Sequence, residues 1–335
     1  MSEIILAIDA MGGDFGPRSA VPAIKRALSV YGDLRFLVYG QENMALPYLR
    51  ECSLAKDDRV ILRHRPHAVT NNLSPLAALR LRDSSSLYAA VAAVKEGEAS
   101  GVVSAGSTGA LVTISDYVLG RIPGISRCSL GKIIPTFDRR NPASVLLDLG
   151  ANLAQTREVI LQNALIGSIV ARCFMNISRP ELAILNVGSE GSKGPAYLQE
   201  AARDLRNAEF CSFRGFAEGS DIFSGRFQVI VTDGFSGNIA LKTAEGLYRG
   251  LAERSGLRGN NFFLAPIRHF FKRKIGIMQP DKYNGSTLLG LNGIAVKSHG
   301  SASQMAFMNA IIQARLQCVN RLPELIASQL TSMKR

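Results

Sequence analysis

The sequence predicts an α/β fold: a mostly parallel sheet with helices on both faces. Three observations carry that expectation. Short runs rich in Ile, Val and Leu recur, each ends in a small or polar turn, and a helical period follows each. Continuous apolar strands separated by helices belong to a parallel sheet buried on both sides. The runs are Ile4–Ile8, Leu34–Tyr39, Val102–Val103, Val145–Leu149, Leu182–Val187, Val229–Val231 and Ile294–Val296. Helices are expected over 18–30, 84–96, 108–120, 156–175, 195–206 and 236–256. A long helix from 302 to about 330 closes the chain, opened by a capping box of Ser301 and Gln304.

The 335 residues are 47% apolar and 20% charged, which fits a folded chain with a large core. No linker rich in Pro, Gly and Ser divides them. The expectation is one α/β body over 1–335, with room for two lobes. No run reaches the ~18 uninterrupted apolar residues of a membrane span. The opening MSEIILAIDAMGG lacks a basic n-region and reads as a strand rather than a leader. The five cysteines are odd in number, far apart and without C-x-x-C spacing. Neither a disulfide framework nor a zinc site is suggested, and a reducing, cytoplasmic location is the simple reading.

Ligands of open parallel sheets bind outside the carboxyl ends of the strands. Six such ends here carry polar groups beside glycine. They are Asp9–Gly16 (with Gly12, Gly13 and Asp14), Ser104–Gly109 (with Gly106, Ser107 and Thr108) and Asp148–Asn152. The others are Asn186–Gly194 (with Lys193), Asp233–Asn238 (with Gly234 and Gly237) and Lys297–Gly300 (with Ser298 and His299). Glycine lets backbone approach a ligand closely, and free N–H groups at a helix start favour phosphate. One such turn would be a mere tight connection; six together argue for an anion site. No Walker pattern and no complete G-x-G-x-x-G fingerprint is present, so an ordinary nucleotide site is weakly supported.

These turns resemble the phosphate acyltransferase family of phospholipid synthesis. The combination of DAMGGDFGP, SAGSTGAL, DGFSGN with LKTAEG, and YNGSTLLGLNG with VKSHG carries the resemblance, which extends from residue 4 to about 330. It implies formation of acyl phosphate from acyl–acyl carrier protein and inorganic phosphate. It also implies a fold like that of phosphotransacetylases and isopropylmalate dehydrogenases, a homodimer and peripheral membrane association. Three positions depart from the family pattern. Ser107 stands where Asn is usual, Ala154 where Asp is usual and Ser189 where an acidic residue is usual. Ser107 lies inside a binding turn, so a changed pocket is one reading of it.

Acyl transfer to phosphate needs an anion site, donors for the oxyanion on the thioester carbon, and room for an acyl chain. Phosphate is itself a competent nucleophile, and no Ser-His-Asp or Cys-His relay is evident. Direct attack is favoured over an acyl-enzyme on Ser104, Ser107 or Ser298. Lys297 suits phosphate or a developing oxyanion as a point charge. His299 suits donation to the oxyanion or protonation of the leaving thiolate, against the plain reading of a structural hydrogen bonder. Asp233 and Asn238 complete the expected catalytic set. Lys193 and Lys242 are further cations, a solvated helix lysine being an equal reading of Lys242. Asp9, Asp14, Asp148 and Asp233 have the chemistry of a magnesium site. The favoured reading is that they bind turn amides and orient lysines. No metal or cofactor is expected.

The net charge of +12 is unevenly spread. Between Glu253 and Asp281 there is no acidic residue, and six Lys and Arg supply half of that charge. Over 254–280, Phe263, Ile267, Phe270 and Phe271 fall on one helical face, and Lys272, Arg273 and Lys274 interleave with them. Such a basic amphipathic segment suits an anionic membrane surface, the alternative being packing on a dimer mate or the sheet. Nucleic acid is not expected. Arg80, Arg82 and Lys132 are candidate docking charges for the acidic carrier protein. The rival functions are a phosphotransacetylase using coenzyme A, a nicotinamide dehydrogenase, and a basic module that binds lipid or nucleic acid without catalysis.

Overall fold

The structure is a computed structural model that describes residues 3–70, 72–254 and 279–332. The expected membrane residues Phe263, Ile267, Phe270, Phe271, Lys272, Arg273 and Lys274 lie outside the described residues.

The chain runs β1 (Ile4–Asp9), α1 (Pro17–Val30), β2 (Leu34–Gly40), α2 (Glu42–Glu51), β3 (Val60–His64), α3 (Pro75–Arg80), α4 (Ser86–Lys95), β4 (Gly101–Ser104) and α5 (Thr108–Leu119). It continues through β5 (Ser129–Pro135), β6 (Ala143–Leu147), α6 (Arg157–Met175), β7 (Glu181–Leu185), α7 (Ala196–Leu205), β8 (Ser212–Ala217), β9 (Val229–Val231) and α8 (Gly234–Arg254). Last come β10 (Ser286–Leu289), β11 (Ile294–Lys297), α9 (Gln304–Val319) and α10 (Leu322–Ser332). Two compact units result. Unit 1 is Met1–Leu130 with Asn284–Arg335, and unit 2 is Gly131–Tyr283.

In unit 1 the strand order is β3-β2-β1-β4-β11-β10, parallel throughout except for the β10–β11 pair. Ile4–Asp9 is buried almost throughout, as a central strand covered on both faces must be. Leu6, Ile8, Phe36 and Val296 join Ile24 of α1 and Phe307 of α9 in one cluster. Helix α4 packs on β1, β2 and β4. In unit 2 the order is β5-β6-β9-β7-β8, with only β5 antiparallel to its neighbour. The apolar helix α6 is long enough to cross a membrane by length and hydropathy. It lies instead against β6 and β9 as a core helix, with Gly167 against the side chains of Val229 and Leu147.

The expected strands all form, Val229–Val231 unchanged and the others with ends shifted by one or two residues. Val145–Leu149 becomes Ala143–Leu147, and Leu182–Val187 becomes Glu181–Leu185. Among the described residues, four strands were not legible. β3 is a half-exposed edge ending in Arg63-His64, and β5 carries Gly131, Lys132 and Pro135. β8 interrupts its apolar residues with Ser212, Arg214 and Gly215, and β10 is short and opens on Ser286-Thr287.

One helix expectation is corrected. The segment 302–330 is two helices, broken where Arg321 takes φ 49° and Pro323 removes an N–H at the start of α10. Its N-cap is Ser303, whose hydroxyl accepts from the Ala306 N–H at 3.1 Å, not Ser301. Ser301 lies instead beside the His299 ring.

Candidate functional site

In unit 1, three glycine turns meet at the carboxyl ends of β1, β4 and β11. Parallel register places Asp9 beside Ser104 and Ser104 beside Lys297. Asp9 is buried. Its carboxylate accepts from the Ser86 hydroxyl at 2.7 Å, the Ser104 hydroxyl at 2.7 Å and the Met11 N–H at 3.3 Å. Burial pushes its pKa above the usual carboxylate range, opposed by those hydrogen bonds and by the charge of Lys297. Ser104 also accepts from the Gly106 N–H at 3.0 Å. The hydroxyl thus ties the aspartate to the turn that leads into α5.

Glycine is required where the first turn crosses the second. A Cβ on Gly12 would lie 2.6 Å from the Gly106 nitrogen and 2.7 Å from Asp9 Oδ2. Gly13, at φ 81°, faces the Gly300 carbonyl, which accepts from the Asp14 N–H at 2.8 Å. The Asp14 side chain is exposed.

The third turn is held by Asn284, a buried residue that the sequence reading did not single out. Its side chain donates to Ser298 Oγ and to the Ala306 carbonyl, both at 2.7 Å, and accepts from the His299 N–H at 3.0 Å. The signal was available, because an Asn before a glycine at φ 114° marks a turn whose amide is free for such work. Lys297 Nζ donates to the Ala105 carbonyl at 3.3 Å and to the Ser298 carbonyl. His299 is exposed, and its Nδ1 accepts from the Ser301 N–H at 3.2 Å. In a neutral ring that leaves the proton on Nε2. Ser104 and Ser298 are fully buried and hydrogen-bonded, a poor setting for a nucleophile.

The start of α5 carries Ser107, Thr108 and Gly109. The Ser107 side chain makes no cap hydrogen bond, and no acidic residue occupies the first turn. An uncapped helix start beside a lysine has the polarity of an anion site.

In unit 2 the turns after β6 and β9 meet each other. A cis peptide bond joins Leu147 to Asp148. Asp148 is buried, and its carboxylate accepts from the N–H groups of Gly150 (3.1 Å), Ala151 (3.0 Å) and Asn152 (2.9 Å). The side chains of Asn152 (2.8 Å) and Gln155 (3.3 Å) also donate to it. Gln155 in turn accepts from buried Asn163 of α6 at 3.4 Å. Sequence reasoning missed Gln155 and Asn163, because neither lies at a strand end. Asp233 caps α8 by accepting from the Ser236 N–H at 2.8 Å. The Gly234 N–H donates to the Asn152 carbonyl at 2.9 Å. A Cβ on Gly234 or on Gly237 would collide with the carbonyls of Asn152 and Asp148 respectively. Gly150 faces the Asn238 side chain. For Asp148 and Asp233, the work seen is that of organising turn amides.

The turn Asn186–Gly194 closes on itself. Asn186 donates to the Lys193 carbonyl at 2.9 Å, and exposed Lys193 pairs with Glu190 at 2.8 Å. Lys242 lies exposed on α8, and Arg80 and Arg82 are exposed. Lys132 is not a docking charge, which corrects that expectation. It is 9% exposed, 3.8 Å from Glu245, and burial lowers its pKa against the pull of that carboxylate.

The fold matches solved structures along most of the chain. A phosphotransacetylase from Streptococcus pyogenes superposes with TM-score 0.61 at 20% identity, covering 95% of this chain and 94% of that one. A branched-chain phosphotransacylase from Enterococcus faecalis V583 gives 0.61 at 15% identity, covering 94% and 99%. The "Fatty acid synthesis protein" family profile matches residues 4–323. A phosphate acyltransferase from Aeromonas salmonicida (strain A449) is 42% identical, covering 99% of this chain and 98% of the relative. One from Shewanella sp. (strain MR-4) is 40% identical with the same coverage. The chain therefore belongs to the fatty acid synthesis protein family and, within it, to the phosphate acyltransferase enzymes.

Proposed function

We propose that the chain transfers a fatty acyl group from an acyl–acyl carrier protein to inorganic phosphate, releasing acyl phosphate and the carrier thiol. The observation that carries this reading is the polarity of the unit 1 strand ends. An uncapped helix start, a half-buried lysine and close-packed glycine turns lie on one buried aspartate hub. That arrangement suits a dianion more than a neutral substrate. A phosphate oxygen attacks the thioester carbon, forming the new C–O bond. The carbonyl oxygen takes the negative charge, with Lys297 and turn amides as its stabilisers. The C–S bond then breaks, and the thiolate takes a proton from water or from the imidazolium form of His299, which is left neutral and regains its proton from solvent. The engagement of Ser104 and Ser298 supports direct attack without an acyl-enzyme.

The basic, phenylalanine-rich sequence over 254–280 supports a peripheral role at anionic membranes, where each Lys or Arg contributes about 1 kcal/mol. The net charge of +12 suits an acidic carrier, and the family resemblance supports a homodimer as the working form. The deciding experiment supplies phosphate with acyl–acyl carrier protein or with acyl–coenzyme A, and measures acyl phosphate and free thiol. Carrier-dependent acyl phosphate is expected. Turnover with coenzyme A alone would replace this donor. In flotation with anionic liposomes, wild type should float and Phe270→Glu/Phe271→Glu should not. Equal behaviour of the two would remove the membrane reading.

A further inference from the structure

The sequence has a second acid-free basic stretch, and it lies in unit 1. Between Asp58 and Asp83 there are five arginines and no acidic residue. Asp57 neutralises Arg59 at 2.7 Å. Among the described residues, none of Arg63, Arg65, Arg80 and Arg82 is in an ion pair. Arg63, His67, Arg80 and Arg82 are exposed, and Arg65 lies over the Tyr39 ring at 5.5 Å. Backbone pairing gathers them. The His67 N–H donates to the Ser84 carbonyl at 3.1 Å, and the Ser86 N–H donates to the His67 carbonyl at 3.0 Å. Arg65 and His67 therefore run alongside the turn that follows Arg82.

This basic rim borders the strand-end site of unit 1 at two points. Ser86, whose N–H meets His67, donates its hydroxyl to Asp9 at 2.7 Å. Pro75 opens α3, and its ring lies 3.1 Å from where a Cβ on Gly109 of α5 would stand. Parallel register also sets Lys297, Ser104, Asp9, Tyr39 and Arg63 in one row across β11, β4, β1, β2 and β3. Four strand spacings, roughly 19 Å, separate the ends of that row. Leu76 is 66% exposed on α3, one helical turn before Arg80. An exposed apolar side chain beside unneutralised charge has the composition of a transient protein interface.

We infer that this rim, from Arg63 to Arg82, is the docking face for the acidic carrier protein. The inference rests on the carrier-linked donor proposed above. Arginines without acidic partners raise the local concentration of an acidic protein and orient it. The thioester hangs on the carrier's phosphopantetheine arm of about thirteen bonds, which reaches roughly 15 Å at the ~3.4 Å per three bonds of an extended backbone. A carrier seated inward of Arg63 therefore brings the thioester carbon to Lys297 and the start of α5. A carrier fits better than a lipid surface, because the rim and the reacting groups share one end of one sheet within reach of that arm. Lipid adsorption has no such requirement.

The test titrates fluorescently labelled acyl–acyl carrier protein against wild type, Arg63→Glu/Arg80→Glu and Lys25→Glu/Arg26→Glu. The last pair lies exposed on α1 and makes the same change in net charge. Affinity at low salt should fall at least about 10-fold in the rim variant, the lower end of electrostatic steering, and much less in the α1 variant. Unchanged affinity in the rim variant overturns the docking face. An equal fall in both variants also overturns it, because net charge alone would then explain binding. Kinetics separate docking from chemistry. Acyl–pantetheine carries the arm without the protein, so the ratio of kcat/KM for the carrier donor to that for acyl–pantetheine should fall by a similar factor in the rim variant. A constant ratio overturns the docking role, since the substitutions would then act on the site itself. If no donor yields acyl phosphate, the reaction is overturned and the titration alone decides the face. In flotation with anionic liposomes the rim variant should behave as wild type. Loss of flotation with carrier affinity unchanged would give the rim to lipid and overturn the inference.

Discussion

Each unit buries an aspartate at a strand end, and the two are used differently. Asp9 of unit 1 is held by two serine hydroxyls and one amide, close enough to Lys297 to feel its charge. Asp148 of unit 2 is surrounded by three backbone amides and two side-chain amides. Hydroxyls can rotate and trade donors; backbone amides are fixed once the turn is made. The chemistry of unit 2 is thus spent on holding a turn shape, while unit 1 keeps charge and protons available at its strand ends. The same residue type at the end of a parallel strand in each unit therefore does not imply the same role.

The largest expected effect breaks the unit 2 hub. Asp148→Ala strands several buried donors at once and should lower unfolding stability by about 4 kcal/mol, read by denaturant melts. A small change there would mean that the turn does not depend on the carboxylate. Next, Lys297→Ala in unit 1 should reduce acyl phosphate formation by ~10²-fold or more, roughly 2–4 kcal/mol of transition-state stabilisation, with little change in melting. Wild-type kinetics in that folded variant would move the charge-handling role away from unit 1.

A third change concerns the opposite end of unit 1. Arg315 of α9 grips Asp33, just before β2, with both side chains mostly buried, and stacks on the Tyr31 ring at 4.5 Å. The Arg315 hydrogen bonds, more than its bare charge, hold the Asp33 pKa below the usual carboxylate value. A lowered folded-state pKa contributes stability above the unfolded value of about 4, and that stability is lost as pH falls through the folded value. Asp33→Asn should cost about 2 kcal/mol at neutral pH, with the difference from wild type closing in acid. A difference that persists unchanged into acid would show that packing, not the ion pair, is responsible. The smallest effect is His299→Gln, where about a 10-fold loss is expected, with the alkaline limb of the rate–pH profile altered. No change in that limb would leave water as the proton donor.

The sequence by itself determined the buried strands and the glycine turns at their ends. The runs at Ile4–Ile8, Val102–Val103 and Val229–Val231 are buried on both faces, so each reads as apolar from end to end. The glycines at 12, 13, 234 and 237 were legible as close-approach positions, because polar groups beside glycine recur at six strand ends and a single tight connection would not explain the set. Tertiary structure decided what no local pattern encodes. Lys132 looks like a surface charge in sequence, but strand β5 and helix α8 bring it to Glu245 and enclose both. Asn284 becomes a hub only because β11 and the start of α9 return to it. Ser86, a plain helix-start serine in sequence, reaches an aspartate 77 positions away because α4 packs on β1. Local propensity is set by neighbours within a few residues. Hydrogen-bond partners for buried polar groups are chosen by whatever the packed sheet brings alongside.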